Sequence, residues 1–102
     1  MDIQILSLSE ILIEEYIKPY NLSVSDIASA INEDVSEIEK VLYKQKRITT
    51  DLSIRLGIFF GMSHEFFISI QNEIDYRKAK DKHSKEYERI IPLKTNTNVD
   101  NK

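Results

Sequence analysis

The sequence contains no cysteine, and it has only two glycines and two prolines in 102 residues. Without cysteine there is no disulfide framework, no thiolate zinc site and no cysteine nucleophile, which suits a reducing compartment. No apolar run approaches the roughly 18 residues of a membrane helix. The start, Met1-Asp2-Ile3-Gln4-Ile5, lacks the basic residues and the long apolar run of a secretion signal. We therefore expect a cytoplasmic protein.

The length and composition of the chain fit one domain. Its residues are 41% hydrophobic and 30% charged, which supplies one modest core and leaves no room for a second domain. We expect this domain to span residues 1-93. Residues 94-102 should form a flexible tail, because polar residues such as Thr95 and Asn96 give it no reason to fold.

Long segments repeat apolar residues at intervals of three and four, and none alternates as a strand does. We predict an all-α, compact domain of five to six helices. Residues that cap helix N-termini precede the five predicted helices: Ser9, Ser23, Asp34, Thr49 or Thr50, and Ser63. The first helix should stop near Pro19, and the fifth should run from His64 to about Lys82. The segment from Ser84 to Ile91 is either an extension of the fifth helix or a sixth helix.

The stretch from Ile27 to Val41 predicts two short helices that cross at a steep angle. Ala28 should lie where the two helices touch, and Asn32 tolerates the left-handed conformation that such a turn requires. Four apolar residues would fill the wedge between the helices: Ile27, Ile31, Ile38 and Val41. This spacing is typical of a helix-turn-helix unit, here over about residues 24-43, whose second helix enters a DNA groove.

The net charge of -3 is unusual for a DNA-binding protein, because affinity for duplex DNA comes mostly from neutralising phosphates. The charge is unevenly distributed: residues 1-24 carry -3, and residues 73-102 carry +2. Basic residues cluster at Lys44, Lys46 and Arg47, and again from Arg77 to Lys85. The second cluster is either a solvated helix face or a surface for a partner.

Nine polar residues are candidates for contacting DNA: Ser25, Ser36, Glu39, Lys40, Lys44, Gln45, Lys46, Arg47 and Thr49. Helical spacing predicts that Ser36, Lys40 and Lys44 lie along one side of the third helix, where they can approach bases and phosphates together. The basic loop that follows leads to Thr49, at the start of a helix whose free N–H groups favour a phosphate. Together they would form a clamp on the DNA backbone.

These candidates also have purely structural explanations. Glu37 and Glu39 are candidates for accepting a hydrogen bond from cytosine N4 in the major groove. Alternatively, Glu37 caps the helix and Glu39 lies on a solvated face. The basic loop with Thr49 is either a phosphate clamp or a solubilising loop before an ordinary cap. Ser25 either touches a phosphate or is a surface serine. With Asp34, the reading face carries three carboxylates, which are unfavourable near phosphate.

The sequence offers poor candidates for catalysis. His64 beside Glu65, and His83 with Asp81 and Glu86, lack metal-ligand spacing such as H-E-x-x-H. There is no glycine-rich phosphate loop, and the serines near histidine lack a third partner for a triad. We expect surface histidines, no metal, no cofactor and no enzymatic activity.

Five apolar residues surround Gly61: Phe59, Phe60, Phe66, Phe67 and Ile70. They form either a core between the last two helices or a surface for a dimer or another partner. Arg55 faces out of the fourth helix, and we expect it to have a structural role by pairing with Glu65 or Asp75.

A series of short motifs appears in a specific order and spacing over about two thirds of the chain, from Glu10 to Tyr76. They are Glu10-Ile11-Leu12, Glu14-Glu15-Tyr16-Ile17-Lys18-Pro19, Ile27-Ala28, Lys46-Arg47-Ile48-Thr49 with Asp51, Arg55-Leu56, Phe60-Gly61-Met62-Ser63, Glu65-Phe66-Phe67, Ile70-Gln71 and Asp75-Tyr76. In this order they resemble the HigA (VapI-like) antitoxins, within the wider Xre-type helix-turn-helix proteins. The run from Ile48 to Gln71 is the most specific part of the resemblance.

The resemblance implies a lambda-repressor-like fold and a small homodimeric antitoxin. Such a protein binds a basic, RelE-like toxin, HigB, an mRNA-cleaving ribonuclease, and represses its own operon at a palindromic operator. The physical chemistry agrees, because an acidic protein suits a basic partner and a dimer reads two half-sites. The alternatives are a protein-interaction antitoxin or scaffold that has lost DNA binding, and a phage-type transcriptional regulator without a toxin.

Overall fold

The computed structural model describes residues 7-94 and shows helices joined by short loops. The chain begins with α1 (Leu8–Ile11), which continues directly into a π-helical segment (Leu12–Ile17). Four α-helices follow: α2 (Val24–Ile31), α3 (Val35–Leu42), α4 (Thr50–Phe60) and α5 (Phe66–Glu88). No strand occurs in this part of the chain, so the prediction of an all-α fold is confirmed.

The limits of the predicted domain stay a prediction. Of the predicted tail, residues 94-102, all but Lys94 lie outside the described residues, and so do residues 1-6. Within residues 7-94, no helix is both long enough and apolar enough to cross a membrane.

The two helices of the helix-turn-helix unit, α2 and α3, begin and end close to the predicted positions. The Asp26 N–H donates to Ser23 Oγ at 2.9 Å, and the Ser23 N–H donates to the Asp26 carboxylate at 3.0 Å. This capping box confirms the predicted start of α2, and the Ser23 N–H lowers the pKa of Asp26. Asn32 ends α2 in the left-handed conformation, with φ of 57°. Its short polar side chain tolerates that conformation.

The predicted starts of α1 and α5 were wrong, and the side-chain cap predicted for α3 is absent. The α1 helix begins after Ser7 rather than Ser9, because Glu10 completes a capping box with Ser7 and Ser9 is buried. Asp34 precedes α3 but makes no side-chain cap. The α5 helix begins at Phe66 rather than His64, and Ser63 contributes only its carbonyl, which accepts from the Phe66 N–H at 3.1 Å.

Helical structure in α5 continues past Lys82 to Glu88, but it is not one regular helix. His83 has a non-helical backbone, with φ of -120° and ψ of 17°, and it divides α5 into two helical segments. The segment from Ser84 is therefore a short helical segment that follows the main part of α5 across a kink.

The core lies between α1, the helix-turn-helix unit and the last two helices. The four apolar residues predicted for the wedge are buried, and so is Ala28 at the predicted contact between the helices: Ile27, Ala28, Ile31, Ile38 and Val41. Phe67 is fully buried, and its ring meets that of Tyr16 edge-on at a centroid distance of 5.1 Å. Phe60, Phe66 and Ile70 pack against this core, whereas Phe59 is 38% exposed. The cluster around Gly61 is therefore mainly core.

Two polar side chains fix α4 in position. Ser53 is fully buried; its Oγ donates to the His64 carbonyl at 2.7 Å and accepts from the Ile68 N–H at 3.1 Å. Arg55 donates to the carbonyls of Ile31 and Asn32 at 2.8 and 3.0 Å. These carbonyls lie at the end of α2, where a helix leaves acceptors without internal partners.

The structural role expected for Arg55 is therefore correct, but the expected partners were wrong. Instead of Glu65 or Asp75, Arg55 pairs with Asp51 one helical turn earlier, at 2.8 Å. The i,i+4 spacing places these two side chains next to each other on α4. Through Arg55, α4 holds the turn that separates α2 from α3.

Candidate nucleic-acid interface

The exposed face of α3 carries Ser36 and Lys40, as expected for two residues four positions apart. Lys44 lies two residues beyond the end of α3 and has a left-handed backbone, with φ of 64°. The helical row predicted from Ser36 through Lys44 therefore breaks before its last member. Lys44 belongs to the loop that leads into α4.

Glu37 on α3 forms ion pairs with two of the candidate lysines. Its carboxylate pairs with Lys46 Nζ at 2.8 Å and with Lys40 Nζ at 3.4 Å. Hydrogen bonds from Lys46 and then Lys40 hold the pKa of Glu37 below its usual value. The predicted helix cap by Glu37 is not formed, because Asp34 makes no reciprocal cap and the carboxylate turns to the lysines.

Arg47 connects the α3–α4 loop to α5. Its Nε donates to Asp75 Oδ2 at 2.8 Å, and its Nη2 donates to Asn72 Oδ1 at 2.9 Å. Gln71 Nε2 donates to the second oxygen of Asp75 at 3.0 Å. Arg47 is thus held against the protein with its charge partly neutralised, an arrangement that no local motif in the sequence indicated.

The N-termini of α2 and α4 contribute the remaining candidates. Thr49 caps α4, with its Oγ1 accepting from the Leu52 N–H at 3.1 Å, so the predicted cap is confirmed. The first turn of α4 still has backbone N–H groups without helical partners. Ser25 is exposed in the first turn of α2, and Gln45 is exposed in the loop. Of the nine predicted DNA contacts, only Glu39 is half-buried; the others are exposed.

The histidines do not form a metal centre in residues 7-94. No group of three or more histidine or acidic side chains there is arranged to hold a metal ion. His83 hydrogen-bonds to Glu86 one turn later, and its ring lies 6.1 Å from that of Tyr87. This contact sits on the kinked part of α5.

Comparison with known proteins gives relatives over most of the chain, although no protein-family model matches it. Virulence-associated protein I of Dichelobacter nodosus is 38% identical over 87 residues, which are 84% of this chain and 79% of that protein. A solved structure of Pseudomonas aeruginosa antitoxin HigA with the higBA promoter has a TM-score of 0.77 and 26% identity, covering 88% of this chain and 99% of that one.

A second solved structure, a Pseudomonas aeruginosa protein in complex with its 18-base-pair operator DNA, is also similar. It has a TM-score of 0.80 and 27% identity, and the match covers 90% of this chain and 98% of that one. None of these three proteins is named as an enzyme.

Proposed function

Because the chain belongs to the HigA (VapI-like) family of Xre-type helix-turn-helix antitoxins, we propose that it is the antitoxin of a type II toxin-antitoxin module. In this proposal the chain represses its own operon as a DNA-binding dimer. It also binds and neutralises a basic, RelE-like toxin of the HigB type that cleaves mRNA. The net charge of -3 suits a basic partner.

The proposal for DNA rests on one observation: exposed polar side chains follow one another from α3 through the loop to the cap of α4. Ser36 and Lys40 lie on the helix that enters the major groove in proteins with this unit. The loop cations Lys44, Lys46 and Arg47, with the N-terminus of α4 after Thr49, supply positive charge and N–H donors for phosphates. Binding there occludes the promoter.

The carboxylates on α3 have a defined part in this mechanism. Glu37 already neutralises Lys40 and Lys46. When DNA binds, the two lysines leave the Glu37 carboxylate and pair with phosphates instead. The unpaired negative charge of Glu37 then weakens the binding of DNA. Glu39 is the remaining candidate for accepting from a cytosine amino group.

Dimerisation follows from the number of reading helices. One chain presents a single α3, which covers one half-site in one major groove. Two chains reach two half-sites about one helical turn, roughly 34 Å, apart. A palindromic operator matches that symmetry.

The main alternative is an antitoxin or scaffold that acts through protein contacts alone. The ion pairs favour this alternative, because Glu37 and Asp75 together form ion pairs with three of the four cations between Lys40 and Arg47. Within residues 7-94, Lys44 is the one cation of this stretch that lacks an ion pair. Co-expression with the neighbouring reading frame separates the alternatives, since a phage-type regulator forms no stable protein complex and a scaffold retains no promoter DNA.

The clamp is tested by replacing Lys46 and Arg47 together with alanine. Fluorescence anisotropy of a labelled promoter duplex should show weaker binding, and the slope of log K against log salt should fall by about two. The matched control is Lys82→Ala with Lys85→Ala, which removes the same charge from exposed positions of α5. If the two double variants bind alike, the clamp assignment is wrong.

A further inference from the structure

A cationic groove lies beside the α3–α4 loop and outside the helix-turn-helix unit. It is bounded by the loop, the start of α1 and the middle of α5, and it encloses a cavity of about 340 Å³. Its polar lining includes Ser7, Lys44, Lys46, Arg47, Gln71 and Lys78. Val41 and Ile74, both buried, lie beneath these side chains.

Two of the four cations in this groove form no ion pair within the described residues. Arg47 pairs with Asp75 and Lys46 pairs with Glu37. Within residues 7-94, neither Lys44 nor Lys78 has a carboxylate within ion-pair distance. The two lysines come from different elements, so the fold brings two positive charges to one cavity.

Glu10 shows that the charges of the two lysines reach a common region. Hydrogen bonds with Ser7 are the main reason that the pKa of Glu10 is lowered, and the charges of Lys44 and Lys78 lower it further. The Glu10 carboxylate is engaged by the Ser7 capping box at 2.8 Å from the Ser7 nitrogen. The Glu10 carboxylate therefore lies near the groove while it is hydrogen-bonded in the cap of α1.

We propose that this groove binds a backbone phosphate of duplex DNA beside the site that α3 reads, with Lys44 and Lys78 as its cationic donors. This inference rests on the proposed function, and it extends the DNA footprint to α5. The loop that forms one wall of the groove is the loop proposed to clamp DNA, so a bound duplex brings its phosphates to the groove. Lysine suits this ligand because its ammonium is a compact point charge.

The charge of the groove also selects among partners. The toxin in the proposed function is basic, and a basic protein is repelled by Lys44 and Lys78. Gln71 is not one of the groups that bind the phosphate, because its amide donates to Asp75 at 3.0 Å. This hydrogen bond supports the contact between Asp75 and Arg47. A polyanion is thus the favoured occupant.

The test compares Lys78→Gln with Lys80→Gln in the full chain. Lys80 lies on the same helix, about 200° around its axis from Lys78, and its ammonium sits 5.8 Å from the Tyr76 ring. By anisotropy over a salt series, Lys78→Gln should weaken binding of the promoter duplex several-fold. It should also lower the salt slope by about 0.9. Lys80→Gln should match wild type, and both variants should melt at the wild-type temperature.

The loss in Lys78→Gln should be the same on promoter and unrelated duplexes, since phosphate contacts carry no base information. Equal binding by wild type, Lys78→Gln and Lys80→Gln overturns the groove and leaves the proposed function intact. A loss of affinity for a co-purified protein partner, with DNA binding unchanged, also overturns it and assigns the groove to an acidic protein segment. A wild-type chain that binds no promoter DNA contradicts the proposed function, and the groove with it.

Discussion

At the scale of single residues, Glu37 governs how much positive charge α3 and its loop present. It is paired with Lys46 and Lys40, whose hydrogen bonds lower the pKa of its carboxyl. The carboxylate therefore stays ionised to a lower pH than that of an unpaired glutamate, and the ion pairs are lost as the pH falls through the lowered pKa. At neutral pH both lysines are engaged, and duplex DNA has to compete with the carboxylate.

Glu37→Gln should strengthen binding to promoter DNA several-fold, because it frees two lysines and removes one negative charge from the interface. The measurement is an anisotropy titration at fixed salt. Glu14→Gln is the control, since Glu14 forms a comparable exposed pair with Lys18 at 2.9 Å, in the π-helical segment. Weaker binding by Glu37→Gln would contradict the prediction and would indicate that this carboxylate accepts from a base.

The sequence predicted which residues of the candidate interface are exposed better than it predicted their partners. Lys46 and Arg47 were identified as basic loop residues, because a local cluster of charge is visible in the chain. The pairing of Arg47 with Asp75 was not, since 28 residues separate them and only the packing of the loop on α5 brings them together. Lys78 was identified only as part of the basic cluster on α5, because the same packing places it beside the loop.

At the scale of helices, local capping chemistry predicted some boundaries and tertiary contacts decided others. Ser23 and Thr49 were identified as caps because serine and threonine side chains readily accept from backbone N–H groups at the start of a helix. Both do so in the structure. Ser9 was chosen wrongly over Ser7, although Ser7 and Glu10 have the spacing of a capping box, which the structure forms, and Ser9 is buried instead. The start of α5 depends on Ser53, whose buried hydroxyl holds the His64 carbonyl.

Replacing Ser53 with alanine should destabilise the chain by about 1–3 kcal/mol, because the Ile68 N–H and the His64 carbonyl lose a buried partner. Urea denaturation followed by circular dichroism measures the change in the free energy of unfolding. Ser69→Ala is the control, since Ser69 is exposed on α5. Similar stabilities for the two variants would show that the Ser53 hydroxyl is not needed to join α4 to α5.

At the scale of the whole molecule, the chain combines a net charge of -3 with cations gathered around the α3–α4 loop and α5. In the proposed function, the basic side of this small domain faces DNA and its acidic surface is left for a basic toxin. The all-α fold was predictable from apolar periodicity alone. The function was not, because it depends on where the charges lie and which of them are already paired.

The central claim is that the chain reads its own promoter as a dimer. The most direct measurement is anisotropy of a labelled promoter palindrome against a scrambled duplex, at physiological salt, with stoichiometry from analytical ultracentrifugation. The account predicts two chains per palindrome and a preference for it of about 10³-fold or more. Equal and weak binding to both duplexes, by a chain that still forms a tight complex with the neighbouring toxin, would contradict it.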